Sequence, residues 1–436
     1  MLRTALVFAV ASWAAVVGGL APATPRGLGL AALTVGLGLL AAWLVGRVLL
    51  RRAAPRARRV FDQALFGAAL LVASLELGLR LAGAVLPAAP LWLPASSGVN
   101  AQLAAYRFAS GSVRFGFPCN SLGYYDDEPP GPGDAAPWVA CIGDSFVASS
   151  VPQPVHFTTV AERELGLAVQ AFGVHAAGPR EYLVLLERDV LPRAPDAVIL
   201  GLFVGNDVSD SWRAETAWFL RVFHPKNARL LYVPRRLALA DAAGPGHARS
   251  LRGRIEDGTI ILDTPLGEVR GDAGQLRAML PSITPWLFDR ALEVPPYTAD
   301  EHFEIERART LLTCVPAGPD WPNFFGCLEA LLAAAGTTPV MVLLLPDEFQ
   351  VDDELWARIE GASGGQVFER DLPQRRISEF LRSRGVPCLD VLPDLRAAAA
   401  RGEHAYLLRN THFNLRGNEI VGHALAEFLA RVLPGR

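Results

Sequence analysis

Three long apolar stretches open the chain, and after them the pattern changes to short apolar runs separated by amphipathic segments. The opening stretches cover about residues 5–23, 28–48 and 64–86, each near the ~20 residues that cross a bilayer as a helix. A cleaved signal peptide accounts for one such run and not for the other two, so three transmembrane helices are expected, with a signal peptide plus two spans as the alternative. From Trp138 onward the runs "WVACIG", "AVQAFGV", "DAVILGLFVG", "PVMVLLLP" and "VPCLDVLP" read as strands with no polar face. Such strands, alternating with helices, imply an α/β domain whose parallel sheet is covered on both sides.

This reading divides the chain into a membrane anchor over 1–87, a connector rich in Pro, Gly and Ala over 88–137, and a folded domain over 138–436. Within the domain the alternation is interrupted at about 210–297. That insertion contains "GRIEDGTIILDTPLGEV", a hairpin pattern with Asp257-Gly258 at its turn, and it is read either as a cover over the carboxyl ends of the strands or as a surface decoration.

Charge orients the chain. Arg51, Arg52, Arg56, Arg58 and Arg59 lie between the second and third spans, whereas Arg26 alone separates the first and second. Basic loops stay cytoplasmic, so a multi-pass protein of the cytoplasmic (inner) membrane is expected, with its domain facing the periplasm or the cell exterior. Glu76 and Arg80 stand four apart in the third span, where they can neutralise one another. A net charge of -3 gives no reason to expect nucleic acid as a partner. The five cysteines have no metal-site spacing, and Cys314 with Cys327 is the first pair to consider for a disulfide.

In parallel sheets, sites form where the loops leave the strands' carboxyl ends. Gly143-Asp144-Ser145 follows the first strand, "HAAGP" the second and Gly205-Asn206-Asp207 the third. A serine attacks acyl groups when a base takes its proton and donors hold the oxyanion. Ser145 sits at an expected strand-to-helix turn that Gly143 allows to bend sharply. Asn206 can donate through its side-chain amide, or simply cap the next helix. His412 precedes the last helix and is the candidate base, against the plainer reading of a surface histidine.

These blocks together resemble the SGNH (GDSL-like) hydrolases: "IGDSF", "FGVHAAGPREYLVLL", "VGND" and "THFN" occur in that order. "CNSLGYYDDEP", "VLLLPDEFQV" and the "LELGLRL" of the third span resemble a membrane-anchored bacterial branch of that family. The likeness covers most of residues 115–436. It implies a flavodoxin-like three-layer sandwich with Ser145 as nucleophile and His412 as base. It also implies an oxyanion hole made by the Ser145 and Ala176 amides with the Asn206 side chain, while Gly143, Asp144 and Asp207 support the site. No metal and no cofactor are implied. The implied substrates are acyl esters, in particular acetyl esters on envelope or exported glycans, with a membrane acyl-donor protein as partner if the reaction is transfer.

Two positions depart from the family pattern. Ala176 stands where glycine is usual; its backbone amide survives the change if φ there is negative, with only modest loss expected. Asn410 stands two before His412, where the family has aspartate. Three readings follow: another carboxylate (Asp390, Asp394 or Glu403) reaches His412; Ser145 and His412 act as a dyad oriented by Asn410; or the protein is an inactive relative that binds polysaccharide or scaffolds an acetylation complex.

Overall fold

The structure, a computed structural model, describes scattered helical residues between 55 and 74, and then residues 108, 110–131, 136–210, 252–264, 267–316 and 321–433. The chain divides into two compact units, and from residue 108 on every described residue belongs to the second, which joins 102–215 to 243–436. Among the described residues no helix is long and apolar enough to cross a membrane. The spans expected at 5–23, 28–48 and 64–86, with Glu76 and Arg80, lie outside the described residues, Gly67 and Ser74 excepted.

Two short strands, β1 (Val113–Arg114) and β2 (Phe117–Pro118), come first, followed by β3 (Trp138–Gly143), α1 (Phe157–Leu165), β4 (Ala168–Gly173), α2 (Pro179–Leu185), β5 (Ala197–Phe203) and α3 (Asp207–Asp210). After the undescribed residues come β6 (Arg252–Glu256), β7 (Thr259–Thr264), β8 (Gly267–Gly271), α4 (Ala273–Ile283), α5 (Pro285–Phe288), α6 (Ala299–Thr313) and α7 (Trp321–Ala335). The remainder runs β9 (Val340–Leu345), α8 (Glu348–Val351), α9 (Asp353–Gly361), α10 (Leu372–Arg382), β10 (Cys388–Asp390), α11 (Leu392–Ala400), β11 (Tyr406–Leu407), β12 (Asn410–Phe413) and α12 (Leu415–Val432).

Five strands make one parallel sheet in the order β10-β9-β5-β3-β4. Counted along the chain this is 2-1-3-4-5, the flavodoxin-like winding, whose order reverses between β3 and β5. Val139, Cys141, Ile199, Met341 and Leu343 pack with α1, α11 and α12 on one face. The alternate residues Ala140, Ile142, Val198, Leu200, Val342 and Leu344 are buried as completely, which explains why the runs lack polar alternation. Along α12, Val421, Leu425 and Leu429 are buried at helical spacing, and the helix packs beside α1.

The expected hairpin is β6–β7, paired Glu256 to Thr259, with Asp257 and Gly258 both at positive φ as a two-residue turn demands. It does not stand alone. β6 also pairs with β1, so the residues read as connector and those read as insertion share one antiparallel sheet, β2-β1-β6-β7-β8. Phe115, Phe117, Tyr125, Leu262, Leu276 and Ile283 form its core beneath α4. The Cys314–Cys327 pairing is corrected: none of the five cysteines is in a disulfide. Cys314 closes α6 and packs with Phe349 and Trp356, while Cys327 lies within α7.

Candidate active site

β3 ends at Gly143, and the chain turns sharply across the ends of β3, β4 and β5. A Cβ on Gly143 would meet Val147 Cγ2 at 2.3 Å, and one on Gly173 would meet the Ala148 nitrogen at 2.0 Å, so both strands must end in glycine for the turn to lie against them. The Asp144 Oδ1 accepts the Phe146 amide at 2.9 Å, and the Ala148 amide reaches the Asp144 carbonyl at 2.9 Å. The turn is thus a single helical turn. The expectation of a helix starting at Ser145 is corrected, because the next regular helix, α1, begins at Phe157. His156 holds the turn from behind. Its Nδ1 accepts from the Thr158 hydroxyl at 2.7 Å and its Nε2–H donates to the Phe146 carbonyl at 2.9 Å.

His412 is carried by β12, a two-stranded hairpin partner of β11, and α12 starts directly after it with Asn414 accepting the Gly417 amide at 2.9 Å. Its ring meets Ser145 across the site. Nε2 lies 2.8 Å from the Ser145 Oγ, and Nδ1 lies 2.8 Å from the Asn410 Oδ1. Because a carbonyl oxygen only accepts, Nδ1 carries the hydrogen, and Nε2 is left to accept from the serine hydroxyl. That is the tautomer a general base needs. Phe146 packs against His412 with ring centres 5.1 Å apart and stacks on Phe203 at 4.4 Å.

None of Asp390, Asp394 and Glu403 replaces the missing acid at His412 Nδ1, which is occupied by Asn410. Asp390 accepts the Leu392 amide, and Glu403 is bound by Arg401 and Arg416. The charges that act on His412 are positive. Arg309 on α6 donates to the Thr411 hydroxyl at 2.6 Å and to Glu306 at 2.8 Å, with Asp347 at 3.6 Å. Burial, then Arg309, then Arg114 push the His412 imidazole down to about 4.

Asn206 follows β5 on the other side of the order reversal, and its backbone carbonyl accepts from the Ser209 hydroxyl and the Asp210 amide. Asp207 is fully buried, taking the Phe203 amide and the Tyr182 hydroxyl at 3.0–3.1 Å. Burial raises both Asp144 and Asp207 above the usual carboxylate range; the charge of Asp210 adds to it at both, and that of Asp144 at Asp207. Ala176 corrects one expectation outright, since its φ is +57°. An L-residue in that region carries a strain of about 1–2 kcal/mol.

Sequence reasoning missed the residues that reach the site from elsewhere: Arg114 from β1, His175 beside Ala176, His156, and Arg309 from α6. It also missed a clamp on the histidine hairpin, where Arg290 donates to the Tyr406 carbonyl at 3.0 Å and Glu293 accepts the Leu408 amide at 2.5 Å. No local motif marks any of them. The arrangement is a flavodoxin-like α/β fold carrying a serine hydroxyl bonded to a neutral imidazole at the reversal of the sheet.

No protein-family model and no curated protein matches the chain. Solved structures that align with it include the acetyl xylan esterase AlAXEase, at 13% identity over 66% of this chain and 98% of the other, with a TM-score of 0.34. A lipase/acylhydrolase from Enterococcus faecalis aligns at 13% identity over 67% and 95%, with a TM-score of 0.32. A two-domain esterase (CEX) active on acetylated mannans aligns at 11% over 68% of this chain and 50% of its own, with a TM-score of 0.31. At such identities and TM-scores none of these likenesses carries weight in assigning an activity.

Proposed function

We propose that this protein is an SGNH-type serine hydrolase or O-acyltransferase that acts on acyl esters through an acyl-Ser145 intermediate. The reading rests on one observation, the chain of hydrogen bonds from Asn410 through His412 to Ser145, 2.8 Å at each step. In the forward step the Ser145 oxygen attacks the ester carbonyl while His412 Nε2 takes its proton. The oxyanion is held by the Ser145 and Ala176 amides and the Asn206 side chain, and the alcohol leaves with the proton from His412. Water or a second hydroxyl then attacks the acyl-serine by the same route in reverse. With the four motifs in order, the supported substrates are acetyl or other short acyl esters on glycans of the cell envelope, handled by a domain anchored to the membrane through residues 1–87.

In a Ser-His-Asp protease, exchange of the aspartate for asparagine lowers kcat about 10⁴-fold, largely by holding the wrong tautomer. Here the carbonyl of Asn410 faces Nδ1, so orientation is kept and only the charge is lost. Ester hydrolysis should therefore be measurable, abolished by Ser145→Ala, and raised about tenfold or more by Asn410→Asp, equivalent to roughly 1.4 kcal/mol on the barrier. Hydrolysis that persists in Ser145→Ala sinks the mechanism. The neutral Asn410 and the two nearby guanidiniums favour one rival, a binding protein without turnover. That reading requires Ser145 to remain unlabelled by a fluorophosphonate.

A further inference from the structure

Arg114 is a half-buried cation with no ion pair among the described residues. Its Nη1 donates to the Ala148 carbonyl at 3.0 Å and its Nη2 to the Ser149 carbonyl at 3.3 Å, both in the loop that leaves Ser145. These neutral acceptors occupy two of the five donors of a guanidinium. Around it stand the rings of Phe108, Tyr125 and Phe115, 4.3, 5.0 and 5.5 Å from its central carbon. Among the described residues it makes no ion pair, in contrast to Arg309, which has Glu306 at 2.8 Å and Asp347 at 3.6 Å. Holding a charge partly out of water with no ionic partner carries a cost, one that a bound anion would offset.

The place of this charge is what gives it meaning. Phe108, on which the guanidinium stacks, also meets the ring of His175 edge-on at 5.6 Å, and His175 is the residue before Ala176. Arg114, Phe108 and His175 therefore stand together between the Ala148–Ser149 backbone, which leaves the Ser145 turn, and the loop of Ala176. The field of Arg114 reaches the imidazoles of His412, His175 and His156 and disfavours a proton on each. Among the described residues no carboxylate pairs with it: Asn410 is neutral, Asp144 and Asp207 are turned to backbone amides and to Tyr182, and Asp210 stands by Gly178 beside those two carboxyls.

We infer that the ester taken by this site carries a carboxylate, on its acyl or its alcohol part, and that Arg114 binds it. This rests on the reading of Ser145 as nucleophile. A bound anion would complete the ion pair that Arg114 lacks. It would also place beside His412 a negative charge of the kind that Asn410 does not supply, so that the substrate itself favours the imidazolium of the transition state.

Two matched pairs of esters test the idea on the full-length protein. One pair is the mono-4-nitrophenyl ester of glutaric acid and its methyl-capped diester. The other is an O-acetylated galacturonoside with its carboxylate free or methylated, read by acetate release. The expected result is a kcat/KM about tenfold higher for the free carboxylate in one pair, and which pair shows it locates the anion on the acyl or the alcohol side. The preference should shrink as salt rises, collapse in Arg114→Met and survive largely in Arg114→Lys. If Arg114→Met does not fold, the Lys variant and the salt dependence carry the test. Equal rates within both pairs, or a preference that Arg114→Met leaves intact, overturns the inference while the hydrolase reading stands. No turnover of any of the four esters, with Ser145 unlabelled by a fluorophosphonate, overturns both.

Discussion

A histidine flanked by an asparagine and approached by two guanidiniums is poorly placed to hold a proton. The physical cost falls on the step in which His412 becomes an imidazolium, and it shows in the pH dependence. The base works when neutral, so activity is lost as pH falls through its pKa. With burial, Arg309 and Arg114 lowering that value to about 4, kcat/KM for a neutral ester should stay level from pH 8 to about 5 and fall with a midpoint near 4. Arg309→Gln removes the larger of the two repulsions and should move the midpoint upward. A midpoint near the ordinary value of about 6.5 in the wild type contradicts the electrostatic account. The same depression links to folding: the neutral form's contribution is complete above about 6.5 and is lost as pH falls through 4, so folding must be monitored alongside.

At this scale Ser145, Asn410 and His412, which the structure joins by hydrogen bonds, were legible because each lies where an apolar run stops, inside a short motif. Arg114 and Arg309 were not. Each is an ordinary arginine in its local sequence, and only pairing of β1 with β6 and packing of α6 beside β12 bring it to the site. The positive φ of Ala176 was also hidden, since alanine ordinarily signals a negative one.

The elements of the sheet could be read from the sequence with little error, because strands buried on both faces leave uninterrupted apolar runs. The histidine hairpin was harder. β11 and β12 are two and four residues long, and Arg409 between them has φ +50°. So short a hairpin is not stable by its own pairing. Arg290 and Glu293, just beyond α5, hold its backbone at Tyr406 and Leu408, and Leu287 packs with Val151 and Leu407. The segment read as a cover over the strand ends is in this part a brace for His412. Replacing both Arg290 and Glu293 with alanine should lower kcat about tenfold, because a displacement near 1 Å of a base costs that much or more. The check is kcat together with the rate of fluorophosphonate labelling of Ser145. Unchanged values would show that β12 is positioned without the brace.

For the whole molecule, the apolar opening of the chain and the α/β domain make different demands. Residues 5–23, 28–48 and 64–86 carry the membrane reading by length and hydropathy alone, so it calls for a direct test. The full chain should remain with membranes after alkaline carbonate extraction, while a chain beginning at residue 88 should be released. Release of the full chain would remove the anchor from the account. The 2-1-3-4-5 winding, by contrast, explains why residues 267 apart in sequence meet: Ser145 leaves β3 at the reversal, and the hairpin carrying His412 returns the chain to the same end of the sheet.

The most direct measurement is the mass of the Ser145 peptide after brief acid quench of the protein turning over an activated acetate ester. The account predicts one acetyl group on Ser145 in the wild type, more of it when water is partly replaced by a poorer acceptor, and none in Ser145→Ala. Turnover with no acyl group on Ser145, and with Ser145→Ala as active as the wild type, would contradict it.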